Sequence, residues 1–187
     1  MKHGFPIPQA VVITALMALL QACATVDDFG CDVHEQNART TKSITTYRPA
    51  PARPNAAPVY SLPAGSVPQV TTYKLTFRPG FTKPCTTVTL HKDVVIQRSD
   101  EAQVVLNEIR EFYAEDGTLI TSATQDVTGQ VTKSGSYTAT TPLPIPKIAP
   151  PGKYKIVSKL MFERRGERKP ASLVARAEGF FYIIPPK

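Results

Sequence analysis

The chain has 187 residues, with 22 basic against 15 acidic side chains, three cysteines, eighteen prolines and no tryptophan. That length holds one domain of ordinary size, and the formal charge of +7 is spread along the chain rather than clustered with aromatics, which argues against a nucleic-acid partner. The chain has three histidines and no paired metal-ligand spacing, nucleophile elbow or phosphate-cradling glycine loop, so neither a metal nor a cofactor is expected.

The first charged residue is Lys2, and an apolar run follows from Ala10 to Leu20. A membrane-spanning helix needs about 20 apolar residues, whereas an export signal needs a charged start and roughly 7 to 15. Residues 1–22 therefore read as a signal peptide. At its end, Leu20-Gln21-Ala22-Cys23 resembles the lipobox of bacterial lipoproteins: an aliphatic residue, a variable one, a small one, then the cysteine that receives lipid. The resemblance implies cleavage after Ala22, acylation of Cys23 and effectively permanent attachment to a membrane through more than one acyl chain. Within that family Ala24, in the position after the cysteine, implies the outer membrane, with the periplasm as the expected side. Ala22-Cys23-Ala24 also fits ordinary signal cleavage, which would release a chain beginning at Thr25.

Residues 23–69 read as a lipid-anchored linker. Prolines at 49, 51, 54, 58, 63 and 68 interrupt residues with no periodic apolar face. Such a stretch buries too little to offset its ordering entropy and is expected as an extended, polyproline-like tether. No acidic residue occurs from Gln36 to Lys92, while Arg39, Lys42, Arg48, Arg53, Lys74, Arg78, Lys83 and Lys92 are basic. A one-sign segment favours an envelope protein or an anionic envelope polymer as partner. A merely soluble tether is the plainer explanation. Once Cys23 carries lipid, Cys31 and Cys85 remain as an even pair in an oxidising compartment. A bridge between them would stabilise by about 4 kcal/mol through loop closure; two free thiols, or an intermolecular bond from Cys31, are the alternatives.

From Val70 the pattern changes to period two. Tyr73, Leu75 and Phe77 alternate with polar residues, predicting a strand that Arg78-Pro79-Gly80 ends. Thr86 to Gln97 predicts a second strand, carrying Val88, Leu90 and Val94 to Ile96, with a possible bulge near Asp93. Ala102, Val105, Leu106, Ile109, Phe112 and Tyr113 lie at helical spacing behind a Ser99 cap. Against that helix, Asp116-Gly117 is a strong hairpin signal and needs the preceding residues extended, so a strand over Val104 to Glu115 is preferred. Tyr137, Ala139, Thr141, Leu143 and Ile145 alternate as another strand, which Pro142 and Pro144 should confine to an edge or cut short in its pairing. Tyr154, Ile156, Leu160 and Phe162 then face one way, with lysines 153, 155 and 159 the other, and Leu173 to Ile184 closes the domain. Seven or eight strands over 70–185 predict an all-β, two-layer antiparallel sandwich.

The turn Pro151-Gly152-Lys153-Tyr154, leading into a strand, is similar to the turn before the penultimate strand of immunoglobulin-like and fibronectin-like modules. A transthyretin-like sandwich fits the same pattern. The resemblance implies binding through edge strands and end loops.

Candidate site residues follow from charge. Asp100, Glu101, Glu108, Glu111, Glu115 and Asp116 crowd one segment, and two of them brought together would give an envelope hydrolase. A solvated face plus a turn explains them more simply. His34 and His91 are expected to be solvated. Arg164, Arg165, Arg168 and Lys169 form the densest positive loop and are the candidate partner-binding residues, unless they serve only to keep a hairpin tip soluble. The expected function is a non-enzymatic outer-membrane lipoprotein that presents its sandwich as a binding or envelope-assembly module. The competing expectations are a surface-exposed adhesin or carbohydrate binder and, behind both, the hydrolase.

Overall fold

Alternation of inward apolar and outward polar residues resolves into nine strands in the computed structural model, which describes residues 30–39, 43–51 and 58–185. Cys23 and the expected signal peptide lie outside the described residues. In chain order the strands are β1 (Thr46–Pro49), β2 (Gln69–Arg78), β3 (Phe81–Thr82), β4 (Thr87–Gln97), β5 (Val104–Tyr113), β6 (Leu119–Asp126), β7 (Gly135–Pro144), β8 (Gly152–Arg164) and β9 (Ser172–Ile183). They form a four-stranded sheet in the order β1-β7-β4-β2 and a five-stranded sheet in the order β3-β9-β8-β5-β6. All pairings are antiparallel except the short β3–β9 pair, which is parallel. The all-β sandwich is thus as expected, with nine strands where seven or eight were predicted.

Strand β1 has a physical reason for escaping the pattern. Strand β1 lies inside the proline-rich stretch expected as a tether, and it pairs Thr46 to Pro49 with Thr140 to Tyr137 of β7. Its neighbour Thr45 and its own Tyr47 are buried. Burial of one large aromatic and one hydrogen-bonded threonine thus anchors a segment whose composition is that of a linker. A helix over 30–39 is held as well, because Cys31 is bonded to Cys85 with a Cα–Cα distance of 5.1 Å and the Lys147 N–H donates to Glu35 at 3.1 Å. Among the described residues, two attachments therefore fix the chain to the sandwich before Val70, within the stretch expected as a linker over 23–69.

Other sequence expectations resolve as follows. β4 pairs with β7 without interruption from Thr87 to Ile96; the irregularity lies instead in β2, between Val70 and Thr72. β7 is an interior strand. The Ile145 N–H donates to Thr86 at 2.8 Å and its carbonyl accepts from Cys85 at 3.0 Å, so odd-numbered residues at this end of β7 bond toward β4. Pro142 and Pro144, of opposite parity, turn their missing donors to the other side, where β1 has already stopped at Thr140. The strand expected over Val104 to Glu115 is present as β5 and ends at Tyr113, and the hairpin turn is where Asp116-Gly117 put it: Gly117 has φ of 85°, and Ala114 N–H donates to the Thr118 carbonyl at 2.9 Å.

The two sheets enclose two apolar clusters. One gathers Val94, Ile96, Leu106, Val127, Val131 and Phe162, among others. The second gathers Val88, Leu90, Leu143, Ile145, Ile156, Phe181 and Ile183. The sheets pack tightly at Gly179, where an added Cβ would lie 2.7 Å from a Phe77 ring carbon.

Candidate functional site: a charged layer and an open apolar end

Strand parity decides which side chains enter the sandwich. On β4 the inward residues are Val88, Leu90, Lys92, Val94 and Ile96. On β5 the fully buried even positions are Val104, Leu106, Glu108 and Arg110, with Phe112 half-buried after them. A lysine, a glutamate and an arginine therefore occupy core positions between the two apolar clusters. Glu108 is 0 % exposed and Arg110 3 %. This corrects the reading of Glu108 as part of a solvated face.

The layer is closely bonded. Lys92 Nζ pairs with Glu108 Oε1 and also donates to Thr45 Oγ1 at 3.1 Å and Thr141 Oγ1 at 3.3 Å. Glu108 accepts further bonds from Tyr47 Oη at 2.9 Å and Ser158 Oγ at 3.0 Å. Tyr73 Oη and Ser158 Oγ share a bond of 2.7 Å. Strands β1, β2, β4, β5, β7 and β8 thus contribute to or frame one polar plane. Burial is the largest influence on Glu108 and pushes its carboxyl up, but Lys92, Arg110 and the hydrogen bonds outweigh it and hold the group below its ordinary value. Burial brings Lys92 down to about 8, with Glu108 opposing the shift and Arg110 adding to it. Burial first, then the neighbouring Tyr73 and Glu108, raise Tyr47 well above its ordinary value.

Arg110 is the less satisfied member. Its guanidinium donates to Thr45 Oγ1, to the Ser43 carbonyl at 2.7 Å and weakly to Thr141 Oγ1 at 3.4 Å, all neutral acceptors. Its Nε is buried without a partner. Among the described residues two buried cations, Lys92 and Arg110, face one buried carboxylate, Glu108, which leaves an excess positive charge in this layer. Such a charge is costly unless paired.

Arg110 also forms part of the wall of a cavity of about 500 Å³ at the end of the sandwich. Its walls are Phe112 of β5, Leu143 of β7, Phe181 and Ile183 of β9, and Ile145 in the loop after β7. Ile120 and Ile148, 54 % and 87 % exposed, stand among the residues around it, with Lys155. The opposite end, past the charged layer, is filled by Val127 and Val131, which follow β6 and are 0 % and 1 % exposed.

The residues singled out by charge are scattered. Glu101 accepts from Arg164 at 2.8 Å and from the Gly65 N–H at 3.0 Å. Glu111 pairs with Lys159 at 2.6 Å, Glu115 accepts from the Lys153 N–H at 3.2 Å, and Asp116 accepts from the Thr118 N–H at 2.9 Å. Arg164 is bonded to both Glu101 and Glu167, and Lys169 reaches Glu167 at 3.4 Å, so the basic hairpin tip is partly neutralised by its own acids. Arg165 and Arg168 are exposed there. His34 is half-buried, with a buried Nε2 that has no partner, and His91 is half-buried on β4, so neither is freely solvated. Among the described residues no group of three or more His, Cys, Asp or Glu could hold a metal ion, and no helix is long and apolar enough to cross a membrane.

No family model matches this chain, and no curated protein matches it. Solved structures that match part of the chain include three at low similarity. An alkylpurine DNA glycosylase from Pseudomonas fluorescens bound to DNA with an abasic site analogue is 11 % identical, with a TM-score of 0.31 over 62 % of this chain and 30 % of that one. A family 123 glycoside hydrolase from Clostridium perfringens is 10 % identical, with a TM-score of 0.30 over 64 % and 27 %. Spo0M, a sporulation control protein of Bacillus subtilis, is 15 % identical, with a TM-score of 0.27 over 65 % and 50 %. The matched part is at most half of each of those chains, and likeness at this level carries no argument about activity.

Proposed function

We propose that the protein is a non-catalytic binding module of the bacterial envelope, anchored in the outer membrane by lipid on Cys23 and facing the periplasm. The observation that carries the binding role is the apolar cavity at one end of the sandwich, since ligand sites are typically concave and apolar with a few placed polar groups. The envelope location is supported by the apolar run and the lipobox-like Leu20-Gln21-Ala22-Cys23. A non-catalytic reading is supported by the carboxylates of 100–116, of which Glu101, Glu108, Glu111, Glu115 and Asp116 each bond a separate partner.

Location and cavity are linked through the disulfide. Cys31 is bonded to Cys85, whose N–H donates to the carbonyl of Ile145 on the cavity wall. Only eight residues lead from Cys23 to Cys31, a reach of about 30 Å at full extension. A lipid on Cys23 would therefore keep the cavity end close to the membrane surface.

Mass spectrometry of the N-terminal peptide, with palmitate labelling and fractionation of wild type against Cys23→Ser, tests the anchor. The expected result is an acylated Cys23 and a membrane-bound protein, with label lost in the variant. An unmodified N-terminus at Thr25 would overturn it.

A further inference from the structure

We propose that the cavity is a binding site for a single-chain long-chain carboxylate, a fatty acid, with its head group beside Arg110 and its chain among Phe112, Leu143, Ile145 and Ile183. The inference deepens the binding-module reading and rests on it.

Charge supplies the first reason. Arg110 lies in the cavity wall, 3 % exposed, and no carboxylate among the described residues is bonded to it. Its contacts are hydroxyls and a carbonyl, and its Nε has no acceptor. The one carboxylate nearby, Glu108, is already committed to Lys92, Tyr47 and Ser158. An incoming carboxylate would cancel the excess charge of this layer and supply charge-assisted hydrogen bonds, which are the stronger kind. A neutral or cationic amphiphile would do neither.

Volume supplies the second. At about 30 Å³ per water-sized group, a cavity of about 500 Å³ accommodates a carboxylate with roughly a dozen carbons, and not the two chains of a phospholipid. The rest of the wall is largely apolar, with Phe112, Leu143, Ile145, Phe181 and Ile183, as an alkyl chain requires. The exposed isoleucines Ile120 and Ile148 extend that apolar surface outward, and Lys155 is the other cation around the cavity. The proximity of this end to the membrane, argued above, brings it to the compartment where acyl chains are found.

The test uses the full-length chain purified from cells, stripped of bound lipid, and titrated with dodecanoate, dodecanol and dodecyltrimethylammonium by calorimetry and thermal melting. Dodecanoate is expected to bind with one-to-one stoichiometry, at least about tenfold more tightly than dodecanol, and to raise the melting temperature. Arg110→Gln should abolish that preference while leaving dodecanol binding unchanged. Should Arg110→Gln fail to fold, Ala123→Trp, which fills the cavity from β6, decides by weakening all three ligands about tenfold or more with its melting curve intact. Equal affinity for dodecanoate and dodecanol would overturn the proposal. So would binding that Ala123→Trp does not change. Because these titrations need no membrane, their failure leaves the Cys23 anchor standing, and failure of the anchor leaves the titrations readable.

Discussion

The two ends of this sandwich are built from the same alternation and finish differently. Beyond the Lys92–Glu108 layer on one side, Leu106, Val127 and Val131 close the space between the sheets almost completely. On the other side Leu143, Ile145, Phe181 and Ile183 belong to a core cluster and yet line a cavity. Interiors normally pack to crystal-like density, so an apolar end left unfilled has given up contacts that the closed end keeps. The difference teaches that one alternation can pack one end of a sandwich and leave an apolar cavity at the other, with a charged plane between them.

The largest expected effect strikes the plane itself. Glu108→Ala strands Lys92 and Arg110 without a counter-charge and should cost about 3 to 5 kcal/mol by urea denaturation. Replacing both partners, Lys92→Met with Glu108→Leu, removes one of the two stranded cations and should recover part of that loss, with Arg110 left lacking a counter-charge. A double variant as unstable as the single one would mean that the plane holds the ends together in a way hydrophobic side chains cannot.

Next in size is a matched pair of truncations. Leu106→Ala at the closed end should fall high in the range of about 2 to 5 kcal/mol, because its surroundings cannot collapse, and Leu143→Ala on the cavity wall should fall low in it. Equal costs would erase the contrast between the ends.

A smaller effect comes from pH. Lys92 titrates lower in the folded protein, at about 8, than in the unfolded chain. Between that value and its ordinary one the unfolded state binds more protons, so stability should rise with pH from about 8 toward 10, by at most about 1.4 kcal/mol per pH unit. Above that range the raised Tyr47 works in the opposite sense, since the folded state then holds the extra proton. Glu108, held below its ordinary value, contributes stability that is lost as pH falls through the acid range. A slope that persists in Lys92→Met with Glu108→Leu would assign it elsewhere.

Much of the fold was legible because sheets with one buried face write their parity into the sequence. Tyr73, Leu75 and Phe77, or Tyr137 through Ile145, admit few other readings, and Asp116-Gly117 fixed the β5–β6 hairpin. β1 was not legible: its four residues, which end on Pro49, the first proline of that stretch, carry one buried side chain, Tyr47, and its burial depends on partners about 90 residues away in β7. The charged layer was half legible. Lys92 has the parity of Val88, Leu90, Val94 and Ile96, and Glu108 and Arg110 share theirs with Val104, Leu106 and Phe112. Charge outvoted parity in the reading because ionised side chains are rarely buried unpaired, and no local signal says that Lys92 and Glu108 find each other across the sheets. The cavity left no trace in sequence, since a void is a property of packing.

The most direct measurement is a methyl and amide NMR titration of the full-length purified chain with dodecanoate. Saturable shifts are expected at Leu143, Ile145, Phe112 and Ile183, with Val127 and Val131 beyond the charged plane unmoved. Shifts spread evenly over both ends, or confined to the closed one, would contradict a sandwich with one packed end and one receptive end.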